Sequence, residues 1–301
     1  MTISDIPHSP EKAIIINCGT HLSAALSILS VLRYCQTDLV VINCPMPSDT
    51  AGAEQAYFVR LQAYCEEHNL GTFTLLEQPL RLHGDTLDFV FRTIQADRVL
   101  LVDSDLEVLE PTLIEQMRRW IEQEHCFGAG FFHGPYFGFG GGKFPEGFYA
   151  ERMWIPFTLL KVKYIRQALA AGQSFNIRKI YNDFPYNDRI GGLLYKYATR
   201  FHIPLSWNPL RRRYLGFRAN YVLQDTGANI YEYLRNKGLF YGGGRTDIYP
   251  FYLAHYDGIT RSWIAKNKGL VDTTATQYTS VQELIVSRLQ SEYNIPSDLL
   301  Q

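Results

Sequence analysis

The sequence predicts an α/β fold in which helices cover both faces of a mainly parallel sheet. In the first 130 residues, short apolar runs alternate with segments whose apolar residues recur at helical spacing. The four runs are AIIIN (13–17), LVVIN (39–43), TFTLL (72–76) and VLLV (99–102). Strands that are apolar along their whole length are buried on both faces, which is typical of parallel sheets.

Four amphipathic helices are predicted around these strands. The first begins near His21, and the second passes through Tyr57, Leu61 and Tyr64. The third follows HGD (83–85), with Asp85 as the expected cap of its first amides. The fourth runs from Leu113 to Ile121. A strand, helix, strand order of this kind places ligands beyond the carboxyl ends of the strands.

The second half is rich in glycine and aromatic residues, and its elements are less regular. FTLLKV (157–162) predicts a strand, and a helix is expected from about Asp188. A further helix is predicted over 225–238, with Gly238 as its terminating residue. YPFYLAHYDG (249–258) predicts a strand that ends in a turn. The tail after about residue 281 is expected to be partly helical and peripheral.

Composition narrows the class of protein and its surroundings. The chain has 301 residues, 46% of them hydrophobic, and a net charge of −1, which argues against a nucleic-acid partner. The five cysteines have no metal-ligand spacing, which favours reduced thiols. No basic and apolar leader and no apolar run of about 18 residues is present. A cytoplasmic protein is therefore expected, and Arg211–Arg213 leaves peripheral membrane contact open.

The most informative stretch is RVLLVDSDLEVLEP (98–111), in which a buried strand runs into Asp103-Ser104-Asp105. Carboxylates two residues apart on a strand point to the same face, where they repel each other unless a positive charge lies between them. A hard divalent cation such as Mg²⁺ or Mn²⁺, shared with phosphate oxygens, meets that need. The alternative is a turn whose amides the Asp and Ser side chains satisfy.

The segment HGDTLDFVFRTIQADRVLLVDSDLEVLEP resembles the nucleotide-sugar glycosyltransferases of the GT-A fold, a Rossmann-like fold, and especially family-2-like members. The residues that carry the resemblance are His83-Gly84, Leu87, Ala96-Asp97 and Asp103-Ser104-Asp105. It implies a UDP- or GDP-sugar donor whose diphosphate is held by a metal on the acidic pair. It also implies one continuous domain with a donor half over 1–130 and an acceptor half over 131–301.

The resemblance extends to further residues. Asn17 and Gly19 in INCGTHLSA occupy the place where such enzymes meet the base, although the usual proline is missing. His255 in YLAHYDG matches a late histidine that can be a third metal ligand, and a hydrogen-bonded histidine at a sheet edge is the alternative. Asp188 in YNDR matches a general base only loosely, because Asn187 replaces the first acid of the pair, and a helix cap is equally compatible.

The acceptor is a hydroxyl group of a sugar, a lipid-linked molecule or a small molecule, and inversion and retention both stay open. Gly138–Gly142 is a candidate flap that excludes water. Trp154 either stacks on a sugar or packs in the core. YGGGR (241–245) resembles a phosphate cradle in composition but lacks the ending of a P-loop.

Three other functions compete with glycosyl transfer. A haloacid-dehalogenase-type phosphatase also has an Asp-x-Asp strand end, but it expects that motif near the amino terminus and Thr or Val where Glu107 stands. A sugar nucleotidyltransferase needs a Gly-rich loop with Arg and Lys, which is missing from 17–34. A non-catalytic carbohydrate-binding protein would fit the aromatic second half, but it leaves the acidic pair without a role.

Overall fold

The computed structural model describes residues 2–46, 49, 52–138, 147–181, 221–245, 250–256 and 274–300. Within these ranges it confirms the predicted α/β fold, with a large, mostly parallel sheet between two layers of helices. A four-stranded sheet and a two-stranded ribbon accompany the central sheet.

The strands lie close to the predicted positions in the first half of the chain. In chain order they are β1 (Ser9–Asn17), β2 (Asp38–Asn43), β3 (Phe73–Glu77), β4 (Ala96–Asp103), β5 (Leu106–Val108), β6 (Cys126–His133), β7 (Tyr136–Gly138), β8 (Gly147–Tyr149), β9 (Arg152–Lys161), β10 (Arg178–Tyr181), β11 (Tyr221–Gln224), β12 (Phe240–Arg245) and β13 (Leu253–His255). The helices are α1 (His21–Tyr34), α2 (Ala53–Glu67), α3 (His83–Thr93), α4 (Thr112–Ile121), α5 (Val162–Ala170), α6 (Ala228–Asn236) and α7 (Thr274–Tyr293).

The order of the central sheet is β12-β6-β9-β4-β1-β2-β3, and β9 runs antiparallel to its two neighbours. The chain moves outward from β1 through β2 to β3, and then returns to the other side of β1 as β4. The strand order therefore reverses between β1 and β4. In open α/β sheets this reversal leaves a crevice at the carboxyl ends of the two strands, where ligands bind. Here those ends are Asn17 and Asp103.

Alternate strand residues supply the two cores of the molecule. Ala13 and Ile15 of β1 face one core, which α1, α2, α4 and α7 cover. Ile14, between them, faces the other core, which α3, α5 and α6 cover. Both faces are therefore sealed from water, as the continuous apolar runs predicted.

The second half departs from prediction in the length of its elements. β9 begins five residues earlier than expected, at Arg152, and contains Pro156. Proline cannot donate to a strand ladder, and it is accommodated because the β6 register shifts between Gly130 and Phe132, opposite this part of β9. β13 is only three residues long, since residues 250 and 251 form a helical turn. The helix ended by Gly238 is confirmed as α6, and Gly238 has a φ of 80°.

The expectation of a peripheral tail is wrong. α7 packs along α1, and Ile285, Leu289 and Tyr293 lie in the same core as the strands. Their four-residue spacing places them on one helical face.

The glycine run YGGGR forms β12, a strand of the central sheet that pairs with β6. A Cβ atom on Gly243 would overlap the carbonyl oxygen of Gly130, and one on Gly242 would lie 2.8 Å from the Cβ atom of Trp120. Glycine is therefore needed at these two positions so that β12 can pack against β6 and Trp120.

Candidate functional site

The two aspartates of the acidic motif lie where β4 ends and the chain turns into β5. Asp103 is the last residue of β4, and Asp105 directly precedes β5. Ser27 of α1 anchors this turn, because its hydroxyl donates to the carbonyl oxygen of Leu106 at 2.5 Å and accepts from the Leu106 amide at 3.1 Å. The turn therefore has a fixed backbone, on which the carboxylates are presented.

His255 reaches the acidic pair through the short ladder between β13 and β5. In this ladder His255 lies opposite Leu106, and the amide of Tyr256 donates to the carbonyl oxygen of Asp105 at 2.8 Å. The Nε2 atom of His255 is 3.4 Å from Oδ1 of Asp105, and both side chains are about one-eighth exposed. Asp103, Asp105 and His255 each offer one ligand atom, and these atoms lie within 4.8 Å of one another.

Trp154 packs against the histidine of this cluster. Its ring meets the His255 ring edge-on, with centroids 5.4 Å apart and an interplanar angle of 90°. The side chain is 6% exposed and belongs to the core. Of the two predicted roles for Trp154, the core role is the one that the structure shows.

A buried ion pair behind the cluster was not predicted from the sequence. Glu107 of β5 is 1% exposed and accepts hydrogen bonds from Arg288 of α7, at 2.6 and 3.2 Å, and from the Tyr256 hydroxyl at 2.8 Å. The Glu107 carboxylate in turn raises the pKa of Arg288 above its usual value. This pair ties α7 to the ribbon that carries His255.

Polar side chains also join the carboxyl ends of β1, β2 and β3. Asn17 donates to Oδ1 of Asn43 at 2.8 Å, and Asn43 donates to the Glu77 carboxylate at 3.1 Å. Asn17 is fully buried, and its own Oδ1 accepts from the Thr20 amide at 3.2 Å. Gly19 has a φ of 79°, a conformation that favours glycine, and it turns the chain from β1 into α1.

Glu54 of α2 lies beside this ladder and has an unusual acidity. Burial, together with the nearby carboxylates of Asp49 and Glu77, raises the pKa of Glu54 to about 7. Cys18 and Cys44 directly follow β1 and β2, and the Cys44 thiol, together with burial, raises the pKa of Cys18 above its usual value. All five cysteines are free thiols, as predicted, and the four other than Cys18 are buried.

His83 and Gly84 begin α3 at the same edge of the sheet. His83 is exposed and Gly84 is buried. A Cβ atom on Gly84 would come within 2.6 Å of the backbone of Asn176. Glycine at position 84 therefore allows the segment that contains Asn176 to pack against α3. Asp85 does not cap α3 as predicted; its carboxylate accepts a hydrogen bond from the Asn176 amide group at 2.6 Å. The cause is the earlier helix start, which makes Asp85 the third helical residue.

A second ion pair lies where β9 begins. Nη2 of Arg152 is 3.0 Å from Oδ2 of Asp225, and the two side chains are 13% and 29% exposed. Nothing in the sequence around Arg152 or Asp225 predicted this pair. Ser104, between the two aspartates, is 8% exposed.

Several predicted site residues lie outside the described residues. These are the candidate base Asp188, residues 139–142 of the candidate flap Gly138–Gly142, and the basic run Arg211–Arg213. Within the part of the chain that the structure describes, no helix has both the length and the apolar composition needed to cross a bilayer.

The donor set of the cluster suits a divalent cation. Two ligands on opposite sides of an octahedral ion lie about 4.2 Å apart, because each bond is about 2.1 Å long. The separations among the Asp103, Asp105 and His255 ligand atoms are within reach of that geometry. Carboxylate oxygens suit both magnesium and manganese, and a neutral imidazole is a better ligand for manganese than for magnesium.

Comparisons with known proteins find no matching family model and no matching curated protein. Among solved structures, a mannosyltransferase from Pyrobaculum calidifontis in complex with GDP-Man and Mn²⁺ is 15% identical over 42% of this chain and 36% of its own, with a TM-score of 0.34. The glycosyltransferase GlyE of Streptococcus pneumoniae is 12% identical over 95% of this chain and 64% of its own, with a TM-score of 0.36.

A putative glucose-1-phosphate thymidylyltransferase from Bacillus anthracis, in complex with a sucrose, is 9% identical over 89% of this chain and 99% of its own, with a TM-score of 0.42. The chain spans less than two thirds of the length of the first two structures. At identities of 9–15% and TM-scores of 0.34–0.42, these likenesses assign neither a family nor an activity. The case for a function rests on the site itself.

Proposed function

We propose that the protein is a metal-dependent glycosyltransferase that moves a sugar from a nucleoside diphosphate to a hydroxyl acceptor. The observation that carries this proposal is the convergence of Asp103, Asp105 and His255 beside the crevice between β1 and β4. Carboxylates and imidazole at the strand ends of an open α/β sheet match the needs of a metal-bound diphosphate. Membership of the family-2-like group stays a prediction.

Asp103, Asp105 and His255 would hold Mn²⁺ or Mg²⁺ in this proposal. A bound divalent cation offsets the charge that develops on the diphosphate as the bond to the sugar breaks. Ser27 and the β5–β13 ladder hold the backbone of the ligands, so that little reorganisation is needed when charge develops.

The nucleoside would lie along the ends of β1 to β3. Glu77 is partly exposed there, and the buried Asn17 and Asn43 side chains hold it in place. Helix α1 begins a few residues after β1. The amino end of a helix favours negative charge, which fits a diphosphate that runs from this edge to the acidic pair. Donor contacts of Gly19, His83, Gly84 and Ser104 stay predictions.

The acceptor half of the reaction needs a base if the enzyme inverts, because a neutral hydroxyl attacks an anomeric carbon poorly. Asp188 is the residue assigned to this role by the resemblance, and its assignment stays a prediction. A retaining enzyme would need no such base.

Thermal-shift measurements test the proposal directly. Wild-type protein is heated with UDP, GDP, UDP-glucose or GDP-mannose, with and without Mn²⁺. We expect at least one nucleotide to raise the melting temperature only when the metal is present, since a ligand at 100 times its Kd contributes about 2.7 kcal/mol. Asp105→Asn should abolish this metal-dependent shift.

Asp97→Asn is the matched control, because Asp97 lies near the opposite end of the same strand and its side chain is 71% exposed. It should keep the full shift. If no nucleotide stabilises the wild type with metal, or if Asp105→Asn responds like Asp97→Asn, the proposal is wrong. A non-catalytic sugar-binding protein would keep its sugar affinity in Asp105→Asn.

A further inference from the structure

The ion pair between Arg152 and Asp225 has hydrogen-bonding capacity that the described part of the protein does not use. One guanidinium nitrogen of Arg152, Nη2, pairs with Asp225. The other, Nη1, is buried and has no hydrogen-bond partner among the described residues. Buried donors are nearly always paired, so a buried guanidinium N–H without a partner has capacity for a bound group.

A second unpaired polar atom lies next to this pair. Gln224, the residue before Asp225, is 1% exposed and donates to Glu232 at 2.6 Å. Its carbonyl oxygen Oε1 is buried, and no residue in the described ranges donates a hydrogen bond to it. Arg152 thus has an unused donor, and Gln224, which precedes Asp225 in the sequence, has an unused acceptor. The Asp225 carboxylate itself is 29% exposed.

The pair is close to the candidate metal cluster. Arg152 and Trp154 are two residues apart on β9, and side chains at that spacing lie on the same face of a strand. The ring of Trp154 contacts the ring of His255. Trp154 therefore connects the pair to the metal cluster.

The charges around the pair indicate which kind of molecule can bind there. Arg152 and Asp225 neutralise each other, and the nearby Glu151 carboxylate is accompanied by the Arg235 guanidinium, since both charges act on Tyr231. His133, opposite Arg152 in the β6–β9 ladder, adds no compensating charge, because burial and the Arg152 guanidinium lower its pKa, against an opposing effect of Asp225. A phosphate or carboxylate would meet no net positive charge in this pair, whereas a neutral group with several hydroxyls would find both a donor and an acceptor.

We propose that Arg152 and Asp225 bind two neighbouring hydroxyls of a neutral pyranose, with Asp225 accepting from one and Arg152 donating to the other. This inference rests on the proposed function and assigns the substrate class of the same site. The pyranose is either the sugar of the donor or a sugar of the acceptor, and both present the same pair of hydroxyls.

Two arms of one experiment separate these sources. In the first, saturation-transfer NMR measures binding of the methyl glycosides of glucose, galactose and mannose without nucleotide or metal. In the second, titration calorimetry with Mn²⁺ compares UDP-glucose with UDP, and GDP-mannose with GDP. The variants are Asp225→Asn, which keeps the oxygen that accepts from the Thr226 amide, and Arg152→Lys, which keeps the charge but loses the planar fork. Arg92→Gln, at an exposed position of α3, is the control.

If the acceptor sugar is bound, the glycoside signal of both variants should be at least fivefold weaker than that of the wild type, and the signal of the control should be unchanged. If the donor sugar is bound, both should weaken the nucleotide sugars at least fivefold while UDP and GDP bind as before. Unchanged values in both arms overturn the inference, as does a wild type that binds no glycoside and gains nothing from the donor sugar. Stronger binding of glucose 6-phosphate than of methyl glucoside also overturns it.

Failure of the proposed function gives a different result. In that case UDP and GDP would not bind to the wild type in the presence of Mn²⁺. The glycoside arm would still report on Arg152 and Asp225, because it needs neither nucleotide nor metal.

Discussion

Asp105 and Glu107 are only two residues apart, but their carboxylates differ in burial and in the charges that face them. Glu107 is 1% exposed, and Arg288 and the Tyr256 hydroxyl saturate it. Asp105 is 13% exposed, and the ion-pair partner described for it is His255, a residue whose charge depends on protonation. The first carboxylate is neutralised within the fold, whereas the second is arranged with Asp103 and His255 as a ligand set.

An acidic side chain near a strand end therefore acquires its role from the side chains that face it. A permanent guanidinium makes a carboxylate structural, because removing either partner leaves a buried charge without compensation. An imidazole and a second carboxylate make a site that gains stability when a cation binds.

Arg288→Met should be the most damaging of these changes. It leaves the Glu107 carboxylate buried without its cation, and since Arg288 is 31% exposed we expect a loss of about 2–3 kcal/mol in the free energy of unfolding. Urea denaturation measures this loss. Glu292→Gln is the control, because it removes the other, more exposed partner of Arg288 and should cost about 0.5 kcal/mol or less. Equal losses in the two variants would contradict a structural role for Glu107.

Ser27→Ala should have the next largest effect, because Ser27 anchors the turn that carries the acidic pair. It leaves the amide and carbonyl of Leu106 without their side-chain partner, at a cost of about 1–2 kcal/mol. Mn²⁺ affinity, measured by calorimetry, should fall about tenfold, since residues that support metal ligands have effects of this size.

Ser23→Ala is the matched control on the same helix. Ser23 donates to the carbonyl oxygen of Thr20, which already accepts from the amide of Ala24. Its loss should cost less and should leave Mn²⁺ affinity unchanged. If Ser27→Ala keeps normal Mn²⁺ affinity, the anchored turn does not contribute to metal binding.

The fold and the position of the acidic pair could both be predicted from the sequence, and for the same physical reason. Parallel strands that are buried on both faces must be continuously apolar, and their carboxyl ends meet at one edge, so the sequence alone places Asp103 at that edge. His255 was predicted from the family resemblance, and the structure brings it to the pair through a ladder of only three residues.

The two ion pairs could not be predicted, because nothing local marks their partners. Arg288 lies 181 residues from Glu107, and neither residue has a sequence context that distinguishes it from a solvated charge. The burial of α7 did carry a signal, the four-residue spacing of Ile285, Leu289 and Tyr293, but the polar residues between them favoured the peripheral interpretation. Only the folded chain shows which charges face each other.

Glu54→Gln tests a third carboxylate, which is buried and has no ion-pair partner among the described residues. The pKa of Glu54 is raised to about 7, so its contribution to stability is fully present below the unfolded pKa of about 4.5 and is lost as the pH rises through about 7. At about pH 8 the glutamine variant should therefore be more stable than the wild type by at least about 1 kcal/mol, because each unit of pKa shift corresponds to about 1.4 kcal/mol. At about pH 4 the two proteins should be equally stable. Urea denaturation at both pH values measures the difference, and a difference that does not change with pH would refute the raised pKa.

Asp105→Asn should have the smallest effect on stability and thereby completes the comparison with Glu107. Asparagine keeps the shape of the side chain and removes one of two neighbouring negative charges, so the metal-free variant should unfold within about 0.5 kcal/mol of the wild type. Glu107→Gln makes the same change two residues along and should cost at least about 1.5 kcal/mol, because it breaks the buried pair with Arg288. Adding Mn²⁺ should stabilise wild-type protein and Glu107→Gln, but not Asp105→Asn. If Asp105→Asn is instead destabilised as strongly as Glu107→Gln in the absence of metal, Asp105 is a structural residue and the cluster with Asp103 and His255 is held for the fold.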